Sequence, residues 1–276
     1  MHTSTHRTRP RRRPRSRLSL TQAFSLTLAL AGLAGCSSYQ PLLPPELSLP
    51  PGVDYLEKGD YILLAPTGTR SEDLTEPDAP FAQGIVFYPG GLVAPRAYVS
   101  MLAPLAADGI PVAVLRVPAD LAVLSPNRAR SVLDGEDGSV ARTWTLAGHS
   151  LGGAMAARFL ARNAAEYTDD DGRVLGLILM ASYPAASDSL AESDQPVLSI
   201  WAQNDGLATE EDRMETSSRL PPDTRFATIE GGNHAGFGEY GPQDDDGELE
   251  IPLEEQHRKT RELVEEFLAG LEDQAP

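Results

Sequence analysis

The chain has 276 residues with 23 basic and 40 acidic side chains, a formal net charge of −17, and that length gives one domain ample material for a buried core. Residues 1–35 hold seven arginines and no Asp or Glu, so the remainder is more acidic still. Such a body repels phosphate backbones and offers no basic stripe to track them, which excludes nucleic-acid binding.

From the amino terminus, Arg7 to Arg17 precede an apolar stretch at 18–34. A charged region followed by an apolar one is the order of a secretory signal, and the stretch is short for a spanning helix. Leu33-Ala34-Gly35-Cys36 resembles the lipobox of bacterial lipoproteins. The resemblance implies cleavage before Cys36 and lipidation of its thiol. The mature chain would then be held by acyl chains on the exported side of a bacterial membrane, several chains being needed because one binds only marginally. Cys36 is the only cysteine, so no internal disulfide framework forms. The arginine-rich start leaves both the general and the twin-arginine export routes open. Residues 37–52 contain five prolines, a composition that favours an extended, semi-rigid spacer. The expected organisation is a signal peptide at 1–35, a lipidated cysteine and tether at 36–58, and a catalytic domain at 59–276.

Beyond residue 59, short β-rich runs alternate with helical stretches. Strands are predicted at 61–65, 84–88, 111–117, 143–147, 174–181, 197–202 and 225–229, and most are continuous apolar runs suited to burial on both faces of a parallel sheet. Helices are predicted at 95–107, 126–134, 151–166, 208–218 and 253–270. The alternation predicts an α/β fold with helices on both faces of a mainly parallel sheet. In such sheets chemistry gathers at the carboxyl ends of the strands.

Gly148-His149-Ser150-Leu151-Gly152 is a G-x-S-x-G motif between a predicted strand and a predicted helix. That setting makes a nucleophile elbow, in which a sharp turn exposes the serine hydroxyl. The helix amino terminus adds partial positive charge where negative charge develops during attack. A serine needs a base. His2 and His6 leave with the signal, and His257 is expected on a solvent-facing helix among charges. His149 is expected to be a packed, hydrogen-bonded neighbour of the nucleophile. His234 remains, in a glycine-rich loop after the last strand.

An acid should orient that imidazole. Asp205 follows the 197–202 strand and precedes Gly206. Asp188, Asp194 and Asp223 precede strands, and Glu230 is too close in sequence to His234. For the oxyanion, one donor is the N–H of Leu151. The other is expected from the loop Pro89-Gly90-Gly91-Leu92, where Gly91 is preferred and Leu92 is the alternative. The runs Asp169–Asp171 and Asp244–Asp246 lack the spacing of a calcium loop and read as solvated surface. No metal and no cofactor are expected.

The order Ser150, Asp205, His234, together with the strings FYPGGLVAPRAY, AGHSLGGAMAARF and GGNHAGFGEYG, resembles the α/β-hydrolase superfamily over residues from about 60 to 270. The resemblance is to its compact, capless bacterial members, similar to dienelactone hydrolases but with serine as nucleophile. It implies a serine hydrolase forming an acyl-enzyme on a small-molecule ester, with activity that falls at acidic pH as His234 is protonated. A peptidase or amidase on the same residues, or a non-catalytic envelope scaffold that kept the fold, are the alternatives. Oligomeric state is not legible.

Overall fold

The computed structural model describes residues 47, 49–69, 81–168 and 172–272; the signal region, Cys36 and the Asp169–Asp171 run lie outside them. Eight strands form one sheet: β1 (Val53–Glu57), β2 (Tyr61–Pro66), β3 (Phe81–Tyr88), β4 (Val112–Leu115), β5 (Ala141–His149), β6 (Val174–Met180), β7 (Val197–Ala202) and β8 (Arg225–Ile229). Their spatial order is β1-β2-β4-β3-β5-β6-β7-β8. The β1–β2 and β2–β4 pairs are antiparallel and the rest are parallel.

Alternation along each strand divides the apolar side chains between two cores, because successive residues point to opposite faces. Ile62, Leu64, Ile85 and Phe87 join one core with Met101, Leu105 and Val264. Tyr61, Leu63, Val86 and Tyr88 join the other with Met155, Phe159 and Leu160. The first core carries the helices α1 (Val99–Ala107) and α5 (Leu253–Glu272). The second carries α2 (Arg130–Leu133) and α3 (Leu151–Tyr167). The remaining helix, α4 (Glu210–Thr216), follows β7 and begins with a capping box made by Thr209 and Asp212, which satisfies two otherwise orphaned N–H groups.

The topology positions the site. The chain leaves β3 toward α1 on one face and leaves the neighbouring β5 toward α3 on the other. The two connections diverge, and in open sheets such a switch point at the strands' carboxyl ends is where ligands bind. No helical lid covers it from the β6–β7 connection, since residues 181–196 contain one 3-10 turn, Ala186–Asp188.

Two expectations need correction. The sheet begins at Val53, inside the stretch assigned to the tether at 36–58. β1 is a half-buried edge strand that pairs with β2 alone, so it lacks the continuous apolar run that marked the buried strands. Leu47 and Leu49 also pack on the first core. The second correction concerns the 126–134 helix, which shortens to the single turn of α2.

Candidate active site

At the end of β5 the backbone turns sharply into α3. Ser150 occupies that turn at φ 53° and ψ −127°, a conformation costly for a residue with a Cβ and held only by its surroundings. Those surroundings are specific. The Ser150 N–H donates to the Met180 carbonyl at 3.0 Å, and its carbonyl accepts from Ser182 Oγ at 2.7 Å. A Cβ on Gly152 would lie 2.2 Å from the Tyr88 carbonyl oxygen, so only glycine lets α3 start this close to the end of β3.

That close approach brings the two proposed oxyanion donors together. Gly91 borders Leu151, whose side chain would be 3.1 Å from a Cβ at Gly91. The alternative donor, Leu92, is already committed: its N–H donates to the Asp120 carbonyl at 2.7 Å. Gly90 donates to the Tyr98 hydroxyl at 2.9 Å. Among the described residues, the N–H groups of Gly91 and Leu151 have no protein acceptor.

Asp205 and His234, on the loops after β7 and β8, meet at 2.9 Å between Oδ2 and Nδ1. Both are buried. The other carboxylate oxygen of Asp205 accepts from the N–H groups of Leu207 and Ala208 at 2.8 and 2.7 Å. A carboxylate fixed this way accepts and does not donate, so the imidazole carries its proton on Nδ1 and leaves Nε2 as an acceptor. Other acids stand apart from this pair. Asp188 is buried with Arg158 and Arg162, while Asp194, Asp223 and Glu230 are exposed.

His149 is packed and hydrogen-bonded, with Nδ1 2.9 Å from the Tyr98 hydroxyl and its ring centroid 4.6 Å from that of His234. The Tyr98 hydroxyl also accepts from the Gly90 N–H, so one buried oxygen ties the Gly90 backbone to the His149 ring. Burial, reinforced by His234, pushes the His149 pKa well below the usual histidine value. A ring that resists protonation thus lies against the His234 imidazole.

Three residues with roles here escaped the sequence reading. Tyr98, from the turn before α1, links the Pro89–Leu92 loop to the end of β5. Gln256 on α5 is fully buried and bonds both the N–H and the carbonyl of Asn233, next to His234. Asp246, expected as solvated surface, directs its carboxylate at backbone N–H groups of the His234 loop. None has a local signature, because each acts mainly on backbone groups eight or more residues away, which the sequence does not mark. His257 is also corrected: it is buried, not solvent-facing, since α5 turns that side of its helix onto the His234 loop.

A family model described as the alpha/beta hydrolase family matches residues 84–258. The chain belongs to the α/β-hydrolase family. Among solved structures, the fold is similar to dienelactone hydrolase from Anabaena variabilis, with TM-score 0.54, 13% identity, and coverage of 78% of this chain and 98% of that one. It is also similar to Est1E from Butyrivibrio proteoclasticus (TM-score 0.51, 14% identity, 79% and 99% covered). Esterase 2 of Thermogutta terrifontis, phosphoramylated by tabun, is a third such structure (TM-score 0.53, 17% identity, 83% and 98% covered). No curated protein matches the chain. In this α/β-hydrolase the Ser150 turn, the His234–Asp205 pair and the Pro89–Leu92 loop lie at one end of the sheet.

Proposed function

We propose that this α/β-hydrolase is an exported, membrane-anchored serine esterase working through Ser150, His234 and Asp205. The observation that carries the reading is the buried 2.9 Å pair of Asp205 and His234, at the same sheet end as the strained Ser150 turn. In this mechanism His234 Nε2 takes the proton of the Ser150 hydroxyl as its oxygen attacks the acyl carbon. The N–H groups of Leu151 and Gly91 hold the oxyanion. The imidazolium then protonates the leaving alcohol, and water cleaves the acyl-enzyme by the reverse route. A β6–β7 connection without a helical lid favours small or accessible esters, and the esterase among the similar solved structures supports ester over amide. Anchoring through Cys36 rests on the lipobox at residues 33–36.

Intact-mass analysis after a fluorophosphonate probe tests the chemistry. One adduct is expected on the wild type and none on Ser150→Ala, and an unlabelled, folded wild type would overturn the reading. A panel of esters beside peptide amides then separates esterase from peptidase. For the anchor, an alkyne-tagged fatty acid fed to an expressing bacterium should label the wild type and not Cys36→Ala; equal labelling would refute lipidation at that cysteine.

A further inference from the structure

The loop carrying the acid and the loop carrying the base come from different strands, and their relative placement decides whether the 2.9 Å bond between them forms. A segment after the His234 turn is wedged between them. A Cβ on Gly206 would lie 2.1 Å from the Asp245 carbonyl oxygen, and one on Gly247 would lie 1.8 Å from that of Asn204. Asn204 Nδ2 donates to the Glu248 carbonyl at 3.0 Å, and Asn233 Nδ2 donates to the Gly247 carbonyl at 2.8 Å. The segment therefore touches the residue before Asp205, the residue after it, and the residue before His234.

Asp246 is at the centre of this wedge. Its Oδ1 accepts from the N–H groups of Gly206 at 3.2 Å, His234 at 3.1 Å and Gly247 at 2.8 Å, and its Oδ2 accepts from Ala235 at 2.8 Å. One carboxylate thus holds the backbone of the base itself together with the residues that follow the acid and the base. Bonds to an ionised acceptor are short and strong, and an unpaired donor at a buried loop is costly. An ionised carboxylate offers lone pairs to all four donors, whereas an amide has one acceptor oxygen and would turn an NH₂ group on the fourth.

We infer that Asp246 is the positioning residue that locks the Asp205 and His234 loops in register. This rests on the reading of Ser150, His234 and Asp205 as the reacting set, and it adds a residue that acts on them through the backbone. A displacement of the imidazole by a fraction of an ångström weakens its bond to Asp205 and its aim at the serine, while the backbone at Leu151 and Gly91, which Asp246 does not touch, stays in place. The signature is a loss in kcat with KM retained.

The test is Asp246→Asn in the full chain. Asp244→Asn, an exposed neighbour, controls for the charge change. Asp188→Asn, which unpairs Arg158 and Arg162, controls for lost stability. Three quantities are read: kcat and KM on an ester, the rate of fluorophosphonate labelling, and the low-field proton resonance of the His234–Asp205 bond. Asp246→Asn is expected to lower kcat and the labelling rate by roughly 10- to 100-fold, the scale for misaligned reacting groups. It should leave KM within about twofold and broaden or abolish the low-field resonance. Both controls should keep all three.

Unchanged kcat and resonance in folded Asp246→Asn would overturn the inference, as would an equal kcat loss in Asp188→Asn. If Asp246→Asn does not fold, Asn204→Ala, which unhooks the same segment at Glu248, should give the same split in milder form, and its absence would count against the inference. Wild type that shows the resonance but no Ser150-dependent labelling would refute the esterase reading, and loss of that resonance in Asp246→Asn would still support the positioning role.

Discussion

A tyrosine hydroxyl between two rigid partners makes a sensitive probe of the proposed oxyanion loop. Tyr98 accepts from Gly90 and shares a hydrogen bond with His149, with no exposed surface, so Tyr98→Phe strands the Gly90 N–H and the His149 Nδ1 in a dry site. Stability should fall by about 1–3 kcal/mol, the usual cost of an unsatisfied buried group. Because Gly91 is the next residue after Gly90, kcat should fall as well, by roughly tenfold, a fraction of what outright loss of an oxyanion donor costs. Chemical denaturation and ester kinetics check the two halves separately; a variant that is less stable but fully active would show that Gly90 needs no anchor. The reason Tyr98 was invisible in the sequence, whereas Ser150 and His234 were not, is physical. Ser150 advertises itself through glycines that a tight turn requires, and His234 through elimination and its place after a strand. Tyr98 and Asp246 act on backbone groups, and backbone groups have no sequence identity to search for.

The decisive element-scale feature is the crossing of α3 over the end of β3. A Cβ at Gly152 would meet the carbonyl oxygens of Tyr88 and Pro89 at 2.2 and 2.3 Å, and neither backbone group can yield without moving the oxyanion loop. Gly152→Ala should therefore lose most of the proposed esterase activity and several degrees of melting temperature, despite alanine's better helix propensity, which would be worth only about 1 kcal/mol in its favour. Thermal unfolding and labelling by the fluorophosphonate check this, and a variant with a raised melting temperature would mean that the two elements have slack between them. The same scale explains what the sequence revealed of the fold. β6, β7 and β8 are buried at least in part and bounded by turn residues, and their expected and observed limits nearly coincide. β1 escaped because an edge strand with mixed burial resembles the tether that precedes it.

For the whole molecule, two buried histidines set the response to acid. Burial first, and then Arg261, push the His257 pKa down from 6.5 to about 4, with Glu254 and the Gly238 carbonyl acting the other way; burial and His234 push His149 down too. In the unfolded chain both protonate near pH 6.5. Between that value and the folded one, the unfolded state binds more protons, so stability rises with pH across the window and is lost as pH falls through it. For His257 the difference corresponds to roughly 3 kcal/mol, fully present above pH 6.5 and gone near pH 4. The acidic surface works against this trend, because protonating carboxylates relieves the self-repulsion of a chain with net charge −17. A single acid titration mixes the two effects, so the informative quantity is the difference between wild type and His257→Gln. Glutamine keeps a polar, uncharged group at the site and cannot titrate, while the surface stays the same. The free energy of unfolding, measured by denaturant between pH 4 and 7.5, should fall less steeply in His257→Gln than in the wild type. Whatever the absolute cost of the substitution, the stability of wild type minus that of His257→Gln should shrink as the pH falls from 6.5 toward 4. Parallel curves would mean that His257 takes up its proton at the same pH folded and unfolded, and the acid sensitivity would then fall to His149 beside the nucleophile.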